Sequence, residues 1–380
     1  MPYWYWNGRI TPTETRRQIQ EMIDQGVYQA VVFPWDGMEL RYLSEDYWTQ
    51  FGAALAIAKE LKFTLNFADE YDWPSGHAWD VKANKPELSR VLIEHPEYRM
   101  MRLKYSEAIV EGPATALPRP EHAIFTVAGR VDGKGQPESA TLQLIDAGWT
   151  PPAGKWLVTS YELVPSTGGH NTRVDLLNPA AVDTFLEMVY GEYARRFSKY
   201  FGNTLQLTLA DHEGSYGSPI AYTPLLWDVF RQRHGYDLRA VLPLLVHDAA
   251  GDRRAQEVRR DYLDTISHLY VTSFTGKVAE WCRRHKLQHA TSLYEEQLFS
   301  RQVKLETCSG TGAPAAWLRS TRCSSGRACR SILRKPYLSR TSTANRFWWR
   351  IRDCKDTRHS SLSRRPALEP TCRFCGGPTA

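Results

Sequence analysis

Phe63-Thr64-Leu65-Asn66-Phe67-Ala68, followed at once by Asp69-Glu70-Tyr71-Asp72-Trp73-Pro74-Ser75-Gly76, is the stretch whose reading decides the fold. The first six residues are apolar-leaning and of strand length, and read as a buried strand. Three carboxylates and an indole then begin where the strand stops. In barrels of alternating strands and helices, the carboxyl ends of the strands carry the active site. Carboxylates hydrogen-bond sugar hydroxyls and an indole face stacks on sugar C–H surface, so the pattern suits a carbohydrate. The plainer reading is an acidic surface loop with Ser75 capping a following helix.

The neighbouring segments repeat the strand-then-helix order. Tyr3 to Trp6 is a short aromatic strand, and Thr11-Pro12-Thr13-Glu14 is a capping box with proline at the first helical position. Ile19, Met22 and Ile23 recur at helical spacing before Gly26. Ala30 to Phe33 is a second strand closing on Pro34-Trp35-Asp36-Gly37. Ser44 caps a second helix with Trp48, Phe51 and Leu55 on its apolar side. Strands separated by helix-length segments imply parallel pairing, in an α/β sheet or barrel.

From about residue 97 to 170 the texture changes. Short β-like runs at 123–127, 140–145 and 156–161 are separated by Gly/Pro-rich turns, which predicts a small inserted antiparallel β module. The alternation then resumes. Asn178-Pro179 opens a helix with Val182, Phe185, Leu186, Val189, Tyr193 and Tyr200 at helical spacing, stopped by Gly202-Asn203. Leu205 to Ala210 is a fourth strand, ending in Asp211-His212-Glu213. Helical stretches follow at about 224–246 and 256–286, and a fifth strand from Gln288 closes on Glu295-Glu296.

Composition divides the chain at about residue 301. The formal charge of the 380 residues is +6, but residues 301–380 hold 17 Lys and Arg against four Asp and Glu, leaving residues 1–300 at −7. Six of the seven cysteines also lie after 300, and only Cys282 lies before. No helix or strand period persists in the tail. Charge, cysteine content and periodicity change together, which reads as a reading-frame shift or aberrant junction near 300–306. A natural basic tail is the competing account, and such a tail would bind nucleic acid electrostatically. Cys372 and Cys375 form one CxxC without a matching second half, and His77, His170 and His212 have no zinc spacing. No apolar run approaches the roughly 18 residues of a membrane span. The start lacks a charged segment followed by an apolar one. The chain as given therefore reads as cytoplasmic, or as periplasmic or secreted if an upstream segment is missing.

The chemistry-bearing residues cluster at the expected strand ends. Asp211 and Glu213 are two apart and share one face if the strand runs that far, where one acid can tune the other. Glu295 and Glu296 point to opposite faces. Hydrolysis of a glycosidic bond generally uses two carboxylates, about 6.5–9.5 Å apart for inversion and about 5–5.5 Å apart for retention. Trp6, Trp35 and Trp73 recur at equivalent strand ends and suggest a stacking wall. A calcium site of oxygen ligands is chemically open to Asp69, Glu70, Asp211 and the late glutamates, although the spacing does not demand one.

These motifs carry a resemblance. Tyr3 to Gly8, Gln18 to Gly26, Tyr42 to Trp48, Asp69 to Gly76, Asp211 to Tyr216, Tyr222-Thr223-Pro224 and Phe230 to Pro243 are similar to the N-terminal barrel of glycoside hydrolase family 106, the large α-L-rhamnosidases. The similarity runs from about residue 2 to 300. It implies a (β/α)8 TIM-type barrel of which this chain has part: strands 1–3 in 1–96, an inserted module in 97–170, strands 4–5 in 171–300, and an irregular tail in 301–380. It implies inverting hydrolysis, with Glu213 as the acid that protonates the leaving oxygen and Asp211 positioning or tuning it. The family motif usually reads Asp-Ser-x-Glu there, one residue longer than Asp211-His212-Glu213. Glu296 is grouped with the catalytic carboxylates. Trp6, Asn7, Trp35, Asp36, Asp69, Glu70, Asp72, Trp73 and Glu295 line the sugar, and Glu295 or Glu296 is also the implied calcium ligand. The general base lies beyond the similar region. A five-strand partial barrel of this kind is expected to fold poorly or need a partner and to hydrolyse little or nothing. A non-catalytic carbohydrate-binding remnant and a basic-tailed nucleic-acid-binding protein are the alternatives.

Overall fold

A computed structural model describes residues 1–82, 85–113, 120–166, 173–212, 220–247 and 252–292. The first units follow the sequence closely: β1 (Tyr3–Trp6), α1 (Pro12–Asp24), β2 (Gln29–Pro34), α2 (Glu45–Glu60) and β3 (Thr64–Ala68). The Thr11 hydroxyl accepts from the Glu14 amide at 3.3 Å and the Ser44 hydroxyl from the Tyr47 amide at 3.3 Å, so both expected caps form. A hairpin of β4 (Trp79–Lys82) and β5 (Lys85–Ser89) and a short α3 (Arg90–Glu94) follow.

The inserted module contains β6 (Met101–Gly112), β7 (Phe125–Arg130), β8 (Gln143–Ile145) and β9 (Gly154–Pro165). Its spine is the antiparallel β6–β9 pair, in register from Met101 opposite Pro165 to Gly112 opposite Gly154. Sequence reading missed β6, because Lys104, Glu107, Ala108 and Ile109 are exposed and weaken the apolar alternation.

The chain then returns through α4 (Pro179–Leu186) and α5 (Glu192–Phe197), joined by a five-residue π-helical turn at Glu187–Gly191. β10 (Leu207–Asp211) and β11 (Ile220–Tyr222) come next. The helical stretch expected at 224–246 is three pieces: α6 (Leu226–His234), α7 (Leu238–Val241) and α8 (Pro243–Val246). Gly235, at φ 80°, ends the first, and Pro243 cannot donate the amide bond that would fuse the last two. α9 (Arg253–Tyr270) runs through a second π-helical turn, Val271–Thr275, into α10 (Gly276–Arg284) and then β12 (Gln288–Ser292).

The barrel-type strands form one sheet in the order β1-β2-β3-β10-β12, with every pair parallel, curled as half of a barrel. Alternation sorts its side chains. Trp4, Trp6, Val32, Leu65, Phe67 and Ala210 join the large core under the helices. Val31, Phe33, Ala68 and Leu209, with Tyr3, Tyr5 and Trp35 beside them, form a separate cluster on the opposite face. The inserted module makes a second five-stranded sheet, β11-β6-β9-β7-β8. Its edge strand β11 pairs Ile220 with Leu103, although it lies far beyond residue 170. The module is therefore completed by the chain leaving β10, and the expected boundary at 170 does not enclose it.

Candidate active site at the carboxyl edge of the sheet

The exits of four adjacent strands are stitched together by backbone hydrogen bonds. The Trp35 amide donates to Trp6 O at 3.0 Å, and the Asp72 amide to Pro34 O at 2.9 Å. The Ser75 amide donates to Asp211 O at 2.9 Å. Gly37, at φ 93°, lets the second loop press on the first, since a Cβ there would lie 2.8 Å from Asn7 O. The loops carrying Asn7, Trp35-Asp36, Asp69–Gly76 and Asp211 thus share one edge of one sheet.

Within the 69–76 loop the carboxylates have different surroundings. Asp69 is fully buried. The Ser75 hydroxyl donates to its Oδ1 at 2.5 Å and the Tyr190 hydroxyl to its Oδ2 at 2.6 Å. Burial pushes its carboxyl up to about 7, against the pull of these two hydroxyls. Tyr190 sits in the first π-helical turn, a distortion that re-aims side chains.

Glu70, 1% exposed, is the loop's internal clamp. Its Oε1 accepts from the Tyr71 amide at 3.1 Å and the Trp79 amide at 3.0 Å, and its Oε2 from the His77 amide at 2.9 Å and the Ala78 amide at 2.7 Å. Burial pushes the carboxyl up to about 8 while the amides favour the charged form. An amide cannot rotate into an acceptor, so the loop is built around the carboxylate.

Asp72 is the third acid of the loop. It is half-buried at φ 57°, and its Oδ1 has no hydrogen-bond partner among the described residues. Burial first, and the exposed Asp36 carboxylate second among the raising causes, lift its carboxyl to about 6. Asn7 Oδ1 is likewise unpartnered among the described residues. Trp73 is 42% exposed, and Trp35, partly buried, packs edge-on against Tyr5 and Phe33 at 5.0 and 5.3 Å between ring centroids.

The edge therefore gathers Asn7, Trp35, Asp36, Asp72 and Trp73 with open surface or open hydrogen-bonding capacity. Trp6 is placed elsewhere. It shares the face of Trp4, is fully buried, and packs against Tyr47 and Phe51, each at 6.0 Å. Asp69 and Glu70 are turned into the protein, and Ser75 caps no helix but links two strands. The π-helical turn that holds Tyr190 has no sequence signal, and Tyr270 ends α9 just before the second such turn, so these contacts could not be foreseen.

Asp211 closes β10, half-buried, on the face of Leu207 and Leu209. Its amide donates to Ser75 Oγ at 2.8 Å. Next to it His212 is buried, its ring 5.8 Å from Tyr270 and 5.7 Å from Phe274, and the Tyr270 hydroxyl donates to its carbonyl at 3.3 Å. Burial lowers the imidazole to about 3, so it is neutral. Glu213, Glu295 and Glu296 lie outside the described residues. Among the described residues no group of three or more His, Cys, Asp or Glu side chains is placed to hold a metal ion. Asp69 and Glu70, two of the oxygen donors considered for calcium, already serve protein donors on both oxygens. No helix among the described residues is long and apolar enough to cross a membrane.

Residues 145–329 match the family model of glycoside hydrolase family 106, alpha-L-rhamnosidase. No curated protein matches the chain. The matched span holds β9 to β12, Asp211 and the three glutamates outside the described residues. It does not reach the 69–76 loop, and it runs across the change in composition at 300–306 to residue 329.

Proposed function

We propose that the chain carries the sugar-holding half of an inverting, α-L-rhamnosidase-like glycoside hydrolase acting on rhamnosides of plant or bacterial polysaccharides. One observation carries this reading. The strand exit inside the family-matched span, Asp211, is hydrogen-bonded to the 69–76 loop outside it. The matched region and the acidic, aromatic loop therefore serve one edge. Trp73 and Trp35 offer ring faces, and Asn7, Asp36 and Asp72 offer oxygen acceptors for sugar hydroxyls. Glu213, two residues beyond Asp211, is the acid that protonates the leaving oxygen. Asp211 is the neighbouring charge that favours its protonated form. Glu295 and Glu296 follow β12 in the sequence, and one of them is proposed as a further sugar contact.

A five-stranded sheet leaves β1 and β12 as edges among the described residues, and a closed barrel would pair them. The 380-residue chain is accordingly proposed to bind a rhamnoside and hydrolyse it little or not at all. The test is incubation of the purified chain with an aryl α-L-rhamnoside, following bound ligand and released phenol. Saturable binding with negligible release supports the reading. Sustained release overturns the inactive part of it, and absence of binding overturns the sugar site.

A further inference from the structure

Asp69 is the most conspicuous acid of the edge, yet it presents no open oxygen to a ligand. Both oxygens accept hydroxyl donors, Ser75 at 2.5 Å and Tyr190 at 2.6 Å. Ser75 is held three ways. Its hydroxyl donates to Asp69, the same oxygen accepts from the Asp211 amide at 2.8 Å, and its own amide donates to Asp211 O at 2.9 Å. Gly76 follows at φ 107°, and a Cβ there would sit 2.6 Å from Leu176 Cδ2, so glycine lets the loop pack closely on that side. One residue on, the His212 carbonyl accepts from Tyr270. The last two described residues of this segment are therefore fixed from both flanking layers.

We infer that Asp69 and Ser75 are positioning residues that fix the exit of β10 at Asp211, two residues before Glu213 in the sequence. The inference rests on the proposed role of Glu213 but concerns the strand exit itself. Asp69 orients the Ser75 hydroxyl as a donor. The hydroxyl is thereby left with a lone pair for the Asp211 amide, and the two Ser75–Asp211 bonds extend the β3–β10 pairing past the end of β3. Without the carboxylate the hydroxyl is free to rotate, and the Asp211 amide loses a fixed acceptor. With the carboxylate in place, Ser75 joins the loop that bears Asp72 and Trp73 to the strand that ends at Asp211.

Hydrogen exchange on the full chain tests this. Ser75→Ala should raise exchange of the Asp211 amide at least tenfold relative to the parent, with β1 and β2 amides unchanged. Ser75→Thr, which keeps the hydroxyl, should restore protection to within about threefold, and Asp69→Asn should fall between the two. Unchanged protection at Asp211 in Ser75→Ala overturns the inference. So does a loss spread evenly over β1, β2 and β3, which marks general destabilisation. Affinity for an aryl α-L-rhamnoside provides the second readout. It should stay within about threefold in Ser75→Ala, and an equal loss in Ser75→Ala and Trp73→Ala would make Ser75 part of the sugar contact instead. Failure of the parent to bind removes the glycosidase reading, while the exchange result still decides the positioning role.

Discussion

The Tyr190 hydroxyl donates to Asp69 Oδ2 across 2.6 Å, from a π-helical turn in the helix layer to the end of a neighbouring strand. Both residues are fully buried, so neither can exchange this bond for water. Tyr190→Phe leaves a buried carboxylate oxygen short of a donor. The expected cost is about 1–3 kcal/mol, read as a lower urea midpoint at unchanged slope.

Asp69 and Asp72 make stability depend on pH. Their carboxyls are raised to about 7 and about 6 in the folded protein, from an ordinary value of 3.8. Between the unfolded and folded values the folded state binds more protons, so their contribution is present at low pH and lost as pH rises through 6 and 7. The melting temperature should therefore fall from pH 5 to pH 8, and Asp69→Asn should flatten that fall. A melting temperature rising over this interval, with the same slope in Asp69→Asn, contradicts the assignment.

Trp73 and Trp6 should separate binding from stability. Trp73 is exposed, and Trp73→Ala should leave stability within about 0.5 kcal/mol while weakening rhamnoside affinity at least tenfold, about 1.4 kcal/mol. Trp6 is core, and Trp6→Ala should cost about 3–5 kcal/mol. Chemical denaturation and equilibrium titration of both variants check the pair.

Glu70→Gln should loosen the loop. An amide nitrogen cannot accept, so it would face at least one backbone N–H now held by Oε1 or Oε2. Each amide left unsatisfied costs about 1–3 kcal/mol. Limited proteolysis should find new cleavage within 71–79 before the rest of the sheet yields.

The strand-and-helix alternation, the caps at Thr11, Ser44 and Asn178, and the placing of loops at one strand edge were legible in the sequence, because period and cap chemistry are local. The division of labour among the acids was not. Asp69, Glu70 and Asp72 are equally acidic in sequence. Only the folding back of the Tyr71, His77, Ala78 and Trp79 amides onto Glu70 distinguishes a clamp from a ligand. The burial of Trp6 did have a signal: it stands two residues from Trp4, so the two share a face. β6 escaped because its polar residues outnumber its buried ones, and β11 because a three-residue strand carries almost no period.

The most direct test of the account is equilibrium titration of the 380-residue chain with an aryl α-L-rhamnoside, beside Trp73→Ala and Glu213→Gln. The account predicts saturable binding that is weakened at least tenfold in Trp73→Ala and kept in Glu213→Gln, since the acid acts on the bond and not on the hold. No saturable binding, or binding indifferent to Trp73, would contradict it.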